Sequence, residues 1–155
     1  MTSCDDIRFR IVTSADVPAM AACRSSDLAL GPPDPRMTAY FDGNHHPQQA
    51  LPPRVGYLAL AGDGVTGYIA GHLTTRHGCA AEVQYLFVAP ECRRRGVATA
   101  LLRLLTNWFG SAGVRKVCVC VDPHSPGAKP FYESTGASPF RQLWYRWDDI
   151  SVLRS

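Results

Sequence analysis

The clearest pattern of apolar and polar positions lies in the middle of the chain and predicts a buried strand. Val83, Tyr85 and Phe87 should share one face of this strand. The other face should carry the alternating side chains of Gln84, Leu86 and Val88. Because both faces carry apolar side chains, the strand should be central in its sheet and covered on both sides.

A long amphipathic helix should follow this strand after a short basic turn. From Val97 onward the apolar residues recur with the 3.6-residue helical period, at positions 97, 98, 101, 102, 105, 108 and 109. Three polar side chains of the same stretch should face away from the sheet: Arg103, Thr106 and Asn107. The pattern therefore predicts a strand, a tight turn and a helix that packs on the sheet.

The segments before the central strand predict a mostly antiparallel sheet. Residues 7–12 alternate apolar and basic side chains, as a half-exposed strand does, and residues 13–16 offer short polar side chains that can cap a following helix. Residues 55–61 and 65–73 have the composition of two strands, and a Gly-Asp-Gly turn joins them. We therefore expect an antiparallel hairpin that leads into the central strand.

The C-terminal part should add two strands and a helix. Residues 116–121 should form a buried strand parallel to the central strand, because a strand, a helix and a second strand cross over in that way. A turn then leads to a helix that contains Tyr132, in which Pro130 is tolerable only in the first turn. Residues 142–147 predict an aromatic strand that closes the sheet and serves packing, substrate stacking or a dimer contact.

The segment from residue 31 to residue 53 differs in composition from the rest of the chain. It is rich in proline, and only residues 37–41 predict a short helix. A long irregular segment in a compact domain is usually functional or mobile. His45 and His46 either bind substrate and transfer protons or belong to a solvated loop.

The composition fits one globular domain over residues 1–155. Hydrophobic residues make up 46% and charged residues 19%, and no stretch approaches the ~18 apolar residues that a membrane span requires. The N-terminal residues contain neither a basic nor an apolar signal region, so we expect a cytoplasmic protein. The net charge of +3 is concentrated at the basic turn, which argues against nucleic-acid binding.

Six cysteines raise the question of disulfides or a metal site. None forms a Cys-x-x-Cys pair and each lies in or beside an apolar run, so we expect reduced core thiols. Cys118 and Cys120 should share a strand face, but a metal ion would need two further ligands. His72, His77 and Cys79 are weak candidates for these, and we expect no metal.

The basic turn before the long helix has the composition of an anion-binding site. The first N–H groups of a helix have no internal partner and carry about half a unit of positive charge. Gly96 would let the backbone approach a ligand, and Ala98 would keep the first helical turn slim. Arg93, Arg94 and Arg95 would add forked donors. The alternative is an arginine-rich surface turn, which the flanking strand and the small residues disfavour.

Two short motifs carry a resemblance to a known family. Residues 93–98 read Arg-Arg-Arg-Gly-Val-Ala, and they follow the strand and turn of residues 86–90. Residues 128–137 read Ala-Lys-Pro-Phe-Tyr-Glu-Ser-Thr-Gly-Ala. The first motif fits the (Gln/Arg)-x-x-Gly-x-(Gly/Ala) signature of the GNAT superfamily of N-acetyltransferases. The second resembles that family's Ala-x-x-(apolar)-Tyr-x-x-x-Gly-(Phe/Ala) helix.

This resemblance implies a fold and a co-substrate. The implied fold is α/β (α+β): a GNAT-like mixed, mostly antiparallel sheet of six to seven strands flanked by about four helices, with a parallel splayed pair at the cofactor cleft. The implied co-substrate is acetyl-CoA, and the residues implied to contact it are Leu86, Phe87, Val88, Arg93, Arg94, Arg95, Gly96, Val97, Ala98, Thr99, Ser125 and Ala128. Ser125 stands where the family usually carries Asn, and it reaches less far toward the pantetheine.

The resemblance also implies two catalytic residues. Glu82 lies 11 positions before Arg93, as the general base does in some members of the family, although it is equally suited to a structural or substrate-orienting role. Tyr132 matches the tyrosine that protonates, or hydrogen-bonds to, the departing thiolate. The resemblance further implies that the amine attacks the thioester directly, and no cysteine of the sequence lies in the setting that a nucleophile needs.

The expected function is therefore transfer of an acetyl group from acetyl-CoA to a primary amine of a small molecule or a protein. The alternative is a domain that binds acetyl-CoA without catalysis, as a sensor or scaffold. A nucleoside-triphosphate site is disfavoured because the turn lacks Gly-Lys-(Ser/Thr). The sequence leaves open the acceptor amine and the oligomeric state, which includes a possible homodimer, and it predicts no membrane partner.

Overall fold

A computed structural model describes residues 4–30 and 32–153, which form one sheet with helices on both faces. Residue 31, where the proline-rich segment starts, and the terminal residues 1–3, 154 and 155 lie outside the described part. The strands in this part are β1 Ile7–Ile11, β2 Ala50–Ala61, β3 Gly64–Thr74, β4 Ala81–Val88, β5 Val117–Cys120, β6 Ser138–Arg141 and β7 Trp144–Trp147. The α-helices are α1 Val17–Ser25, α2 Met37–Phe41, α3 Val97–Ser111 and α4 Ala128–Ser134.

The strands lie in the order β1-β2-β3-β4-β5-β7-β6, and β4 and β5 are the parallel pair in the described sheet. The other neighbours are antiparallel. This arrangement confirms the expected mixed sheet, the parallel crossover and the four helices. The expectation that the aromatic strand closes the sheet is wrong, because β7 lies between β5 and β6. The sequence pattern does not indicate this edge strand, because β6 contains Pro139 and has polar residues at both ends.

Two apolar clusters cover the two faces of the sheet. The larger one joins α3 to the sheet, and its fully buried members include Leu101, Leu102, Leu105 and Phe109. The smaller one joins α1 and α2 to the opposite face, with Met20, Met37, Tyr68 and Phe87 among its members. The two clusters explain why the central strands are apolar on both faces.

The apolar stripe of α3 is wider than its sequence period indicates. Arg103 and Asn107 are exposed as expected, but Thr106 is completely buried, so its predicted outward orientation is wrong. The 3₁₀ turn Ile150–Leu153 packs against α3 in addition to the sheet, so the helix has neighbours that its own apolar period does not indicate.

The expectation of reduced thiols is wrong for two of the six cysteines. Cys4 and Cys92 form a disulfide with their Cα atoms 5.5 Å apart. They are separated by 88 positions, and the pair forms because the N-terminal segment runs beside the 3₁₀ turn Pro90–Cys92. Cys23, Cys79, Cys118 and Cys120 are free. The described residues contain no cluster of metal-ligating side chains and no helix that could span a membrane.

Candidate active site

The N-terminus of α3 lies at the end of the basic turn. Gly96 is the N-cap of α3 and has φ +80°, a conformation that side chains rarely adopt. Arg94 also lies in the left-handed region, with φ +62°. No side chain caps α3, so the first N–H groups of the helix keep their capacity to bind an anion.

The three arginines of this turn differ in their contacts. Arg93 points back to the fold, where it donates to the Val88 carbonyl oxygen at 2.9 Å and pairs with Asp27. Arg95 pairs with Asp5 at 2.7 Å. Arg94 makes no side-chain hydrogen bond or ion pair within the described residues. The turn is therefore fixed by Arg93, and Arg94 is the arginine whose donors are available to a ligand.

The parallel pair β4 and β5 opens into a gap at the level of the basic turn. Their pairing runs from Ala81 opposite Val117 to Val83 opposite Val119 and ends there. Strand β4 continues to Val88 without pairing to β5, and the main-chain N–H of Val121 donates to Leu143 on the other side. A splayed parallel pair was expected, and its free β4 edge suits an extended ligand.

A β-bulge in β4 lies where this gap begins. Gly71 is paired with Val83 and Ala70 with Tyr85, so Gln84 is the extra residue. Val83 consequently packs in the cluster beneath α3, whereas Tyr85 and Phe87 pack with the cluster of α1 and α2. The prediction that these three side chains share one face is wrong, because a bulge reverses the alternation at one residue.

Glu82 is a buried carboxylate at the centre of the opposite face. Its residue is 3% exposed, and burial raises the pKa of its carboxyl group to about 7, although Arg76 opposes the rise. Oε1 of Glu82 lies 3.9 Å from Nε2 of His72 and 3.8 Å from Nη1 of Arg76. These distances exceed a hydrogen bond, and Oε1 has no hydrogen-bond partner in the described structure.

His72 is a site residue that sequence reasoning considered only as a weak metal ligand. It is completely buried opposite Glu82, and its Nδ1 lies 2.9 Å from the Tyr40 hydroxyl. Burial lowers the pKa of His72 to about 4, with help from Arg54 and Arg76, so the ring is neutral at pH 7. If the Tyr40 hydroxyl donates to Nδ1, the N–H of His72 is on Nε2, beside Glu82.

Tyr132 lies on the other side of the sheet from Glu82. It belongs to α4, where Pro130 occupies the first turn and Gly127 is the N-cap. Tyr132 is 5% exposed and packs against the rings of Tyr145 and Trp147. Burial raises the pKa of its hydroxyl group well above the usual value. No contact joins Tyr132 to Glu82 within the described residues, so a substrate in the gap would separate them.

The remaining predicted residues line the edges of this region. The N–H of Ala128 donates to the Ser125 carbonyl oxygen at 3.2 Å, so both residues belong to the connection between β5 and α4. Arg54 donates to the His45 carbonyl oxygen and lies 2.8 Å from Nδ1 of His46. These contacts anchor the proline-rich segment to β2, and within the described residues neither imidazole contacts Glu82.

The fold and the site together define an acyltransferase of the acetyl-CoA-dependent type, and sequence comparison agrees. The profile of the Acetyltransferase (GNAT) family matches residues 25–137, more than half of the chain. The chain therefore belongs to the GNAT acetyltransferase family, whose co-substrate is acetyl-CoA. No curated protein matches the chain significantly.

Solved structures of this family have the same fold at low sequence identity. An acetyltransferase from Thermus thermophilus is 21% identical, covers 94% of this chain and 98% of its own, and has a TM-score of 0.66. The NAA60 protein of Arabidopsis thaliana, solved in complex with acetyl-CoA, is 14% identical with a TM-score of 0.69 and coverages of 92% and 97%. An aminoglycoside acetyltransferase from an uncultured soil metagenomic sample is 16% identical, with a TM-score of 0.64 and coverages of 88% and 91%.

Proposed function

We propose that this protein is an N-acetyltransferase that transfers the acetyl group of acetyl-CoA directly to a primary amine. The observation that carries this proposal is the gap between β4 and β5. The uncapped N-terminus of α3 lies at one side of the gap, and the buried carboxylate of Glu82 lies on the opposite face of the sheet. In this arrangement, acetyl-CoA and the amine would enter from opposite sides of the sheet and react in the gap.

The cofactor side of the gap offers two kinds of contact. The N–H groups from Arg94 to Thr99 and the Arg94 side chain would hold the pyrophosphate. The free edge of β4 at Leu86 and Val88 would pair with the pantetheine arm as a further strand does. Bound acetyl-CoA would supply the reactive thioester, and Ser125 and Ala128 would line the other side of the pantetheine.

Glu82 would remove the proton that the ammonium group of the acceptor must lose. Glu82 takes one proton from the ammonium group and passes it to solvent. The neutral amine nitrogen then bonds to the acetyl carbon and the carbon–sulfur bond breaks, the second nitrogen proton passes to Glu82, and the thiolate takes up a proton from solvent. Transfer from an ammonium of pKa about 10.4 to a carboxyl of pKa about 7 is uphill by about 5 kcal/mol. For a carboxyl at the ordinary value of 4.5 the cost would be about 8 kcal/mol, so the burial of Glu82 favours the step.

Tyr132 would stabilise the sulfur as negative charge develops on it. A phenol is a weaker acid than a thiol, and the raised pKa of Tyr132 increases this difference. Its main contribution is therefore a hydrogen bond to the sulfur, which a buried site strengthens. The thiolate can take its proton from solvent after it leaves.

The free cysteines support direct transfer without an acetyl-cysteine intermediate. Cys120 is the exposed one of the four, and burial of its sulfur raises the pKa of its thiol, with a small opposing effect of Arg76. Burial also raises the pKa values of Cys23, Cys79 and Cys118. A nucleophilic cysteine needs a lowered pKa, so none of these thiols is activated.

Calorimetric titration with acetyl-CoA tests the cofactor site. The unchanged protein should bind with a Kd near the micromolar range, which is about −8 kcal/mol. Gly96→Glu should abolish binding, because it adds a strained side chain and a negative charge to the phosphate site. Arg103→Gln is the control, because Arg103 is exposed on the far side of the same helix and should have no effect.

Kinetic measurements then separate an enzyme from a sensor that only binds acetyl-CoA. Thiol release in the presence of an amine should fall about 10²- to 10⁴-fold in Glu82→Gln, as expected for a lost general base. Acetyl-CoA affinity should stay within about twofold in the same variant. Full activity in both Glu82→Gln and Tyr132→Phe would refute the proposed roles, and binding without any turnover would favour the sensor.

A further inference from the structure

Arg76 lies beside Glu82, and its guanidinium group makes a long ion pair with that carboxylate but no hydrogen bond within the described residues. It opens the 3₁₀ turn Arg76–Gly78 between β3 and β4, and its side chain is 23% exposed. The guanidinium lies over the ring of Trp144, with 4.5 Å from Cζ to the ring centroid. Its nearest acid is Glu82, at 3.8 Å. Within the described residues the group makes no hydrogen bond, and its Nε is buried without a partner.

A guanidinium that makes one long ion pair and no hydrogen bond, with its Nε buried, has donors left for an anionic group. Arginine carries five N–H donors in a planar fork that matches a carboxylate, and buried donors normally have partners. Stacking on Trp144 orders the side chain before a ligand arrives, which reduces the entropy cost of binding. Glu82 is too distant to satisfy the donors, so an acceptor substrate can do so.

The surrounding charges on this face are mostly positive. Arg141 lies 3.3 Å from Nδ1 of His77, whose ring packs against Trp144. Arg146 lies over Phe140 and pairs with Asp148 at 3.3 Å. A polycationic acceptor would meet repulsion here, whereas an acceptor with a carboxylate would be attracted.

We propose that the acceptor is a free α-amino acid, whose α-amino group lies at Glu82 and whose α-carboxylate pairs with Arg76. This inference rests on the proposed acetyltransferase function. The amine nitrogen and the carboxyl carbon of an α-amino acid are about 2.5 Å apart, because two bonds of about 1.5 Å join them. Such a compact pair of opposite charges matches the carboxylate and the guanidinium that lie 3.8 Å apart in the site.

Other acceptor classes lack this match. An α-amino group at a peptide N-terminus is followed by an amide, which is neutral and cannot form a forked ion pair with Arg76. Polyamines and aminoglycosides carry no carboxylate and bring additional positive charge. Arg76 therefore determines specificity, and the α-carboxylate is the group of the acceptor that it recognises.

The test compares each amino acid with its amide as an acceptor. The twenty amino acids and their C-terminal amides are assayed by thiol release from acetyl-CoA, together with a polyamine, an aminoglycoside and a short peptide. At least one free amino acid should be a substrate. For that amino acid, the ratio of kcat/KM for the acid to kcat/KM for the amide should fall about 10- to 100-fold in Arg76→Gln, which is the value of one charge-assisted contact.

This ratio isolates the proposed contact from other effects of the substitution. Arg76 also lowers the pKa of Glu82, so Arg76→Gln will alter turnover of every acceptor, but that effect cancels when acid and amide are compared. Arg76→Lys should give an intermediate ratio, because it keeps the charge and loses the fork. Arg103→Gln should leave the ratio unchanged. Thermal unfolding of each variant identifies any loss of folding.

The outcomes distinguish this inference from the proposed function. An equal loss for acid and amide in Arg76→Gln would overturn the inference, as would turnover with the polyamine, the aminoglycoside or the peptide alone. Acetyl-CoA binding without turnover of any amino acid would also overturn it. Failure to bind acetyl-CoA at all would instead refute the proposed function.

Discussion

Replacing Glu82 by Gln should make the protein more stable at pH 8 while it lowers activity. Burial raises the pKa of Glu82 from 4.5 to about 7, so the folded protein holds a proton that the unfolded chain releases between these values. Stability is therefore lost as the pH rises through this window. The rise of this pKa from 4.5 to about 7 corresponds to a total of about 3 kcal/mol, most of which falls between pH 5 and pH 8.

His72 hides this effect in the pH dependence of the unchanged protein. Its pKa is lowered from 6.5 to about 4, so the unfolded chain binds a proton that the folded protein does not hold. Stability from His72 therefore rises with pH over much of the window in which stability from Glu82 falls. The two contributions oppose each other, and only the difference between the unchanged protein and Glu82→Gln isolates the carboxylate.

Urea unfolding at pH 5, 6.5 and 8 measures this difference directly. The stability advantage of Glu82→Gln should grow by about 2–3 kcal/mol from pH 5 to pH 8, which is about 5–10 °C in Tm for a chain of this length. Glu91→Gln, at an exposed site, should show no such growth. A constant difference between the unchanged protein and Glu82→Gln over this range would refute the view that Glu82 is a buried carboxylate that is costly to ionise.

Three further predictions follow from other contacts. Cys4→Ser should lower stability by about 4–5 kcal/mol in the chain-entropy estimate for an 88-residue loop, and reducing agent should have the same effect on the unchanged protein, as urea unfolding would show. Gly71→Ala should cost about 1–3 kcal/mol, because a Cβ would lie 2.8 Å from the Glu82 carbonyl oxygen and from Phe109; Gly64→Ala, where the nearest atom is 3.6 Å away, should cost less. Tyr132→Phe should lower kcat about 10- to 100-fold with little change in acetyl-CoA affinity, and a larger change in affinity than in kcat would contradict the role of its hydroxyl.

The periodic elements of this fold were predictable from the sequence. Helix α3 begins at Val97, as its apolar pattern predicts, and the hairpin of β2 and β3 turns at Gly62 and Gly64. Both elements are long, and each has a strong local signal, which is the helical apolar period of α3 and the glycine turn of the hairpin. The parallel pairing of β4 with β5 followed from the connection through α3.

The bulge in β4 and the buried Thr106 could not be predicted in this way. Strand β4 is apolar on both faces, so the pattern is the same whether or not one residue is inserted into the ladder. The burial of Thr106 depends on the elements that pack around α3, which are distant in the sequence. The period of the apolar residues indicates which side of one element is buried. It does not indicate whether a further element packs against another side.

The candidate site was nominated from its sequence motifs, and its role stays a prediction, whereas its contacts could not be predicted. Glu82 was nominated from its spacing to the basic turn, but the neighbouring side chains of Tyr40 and His72 meet only because α2 packs over β3. Arg93 was expected to bind phosphate, and it pairs instead with Asp27, 66 positions away. Contacts over such separations depend on the assembled fold, and no local pattern encodes them.

The bulge at Gln84 makes the active-site gap dependent on the number of residues in β4. Without the extra residue, Val83 and Tyr85 would be neighbours on opposite faces of a regular strand, so every later side chain of β4 would keep its present face. The ladder would then lose the local distortion at which pairing with β5 now ends. A deletion of Gln84 would therefore preserve the packing of both apolar clusters and close the gap between β4 and β5. Substitutions at this position leave the number of residues in β4 unchanged, so the gap should persist in most of them.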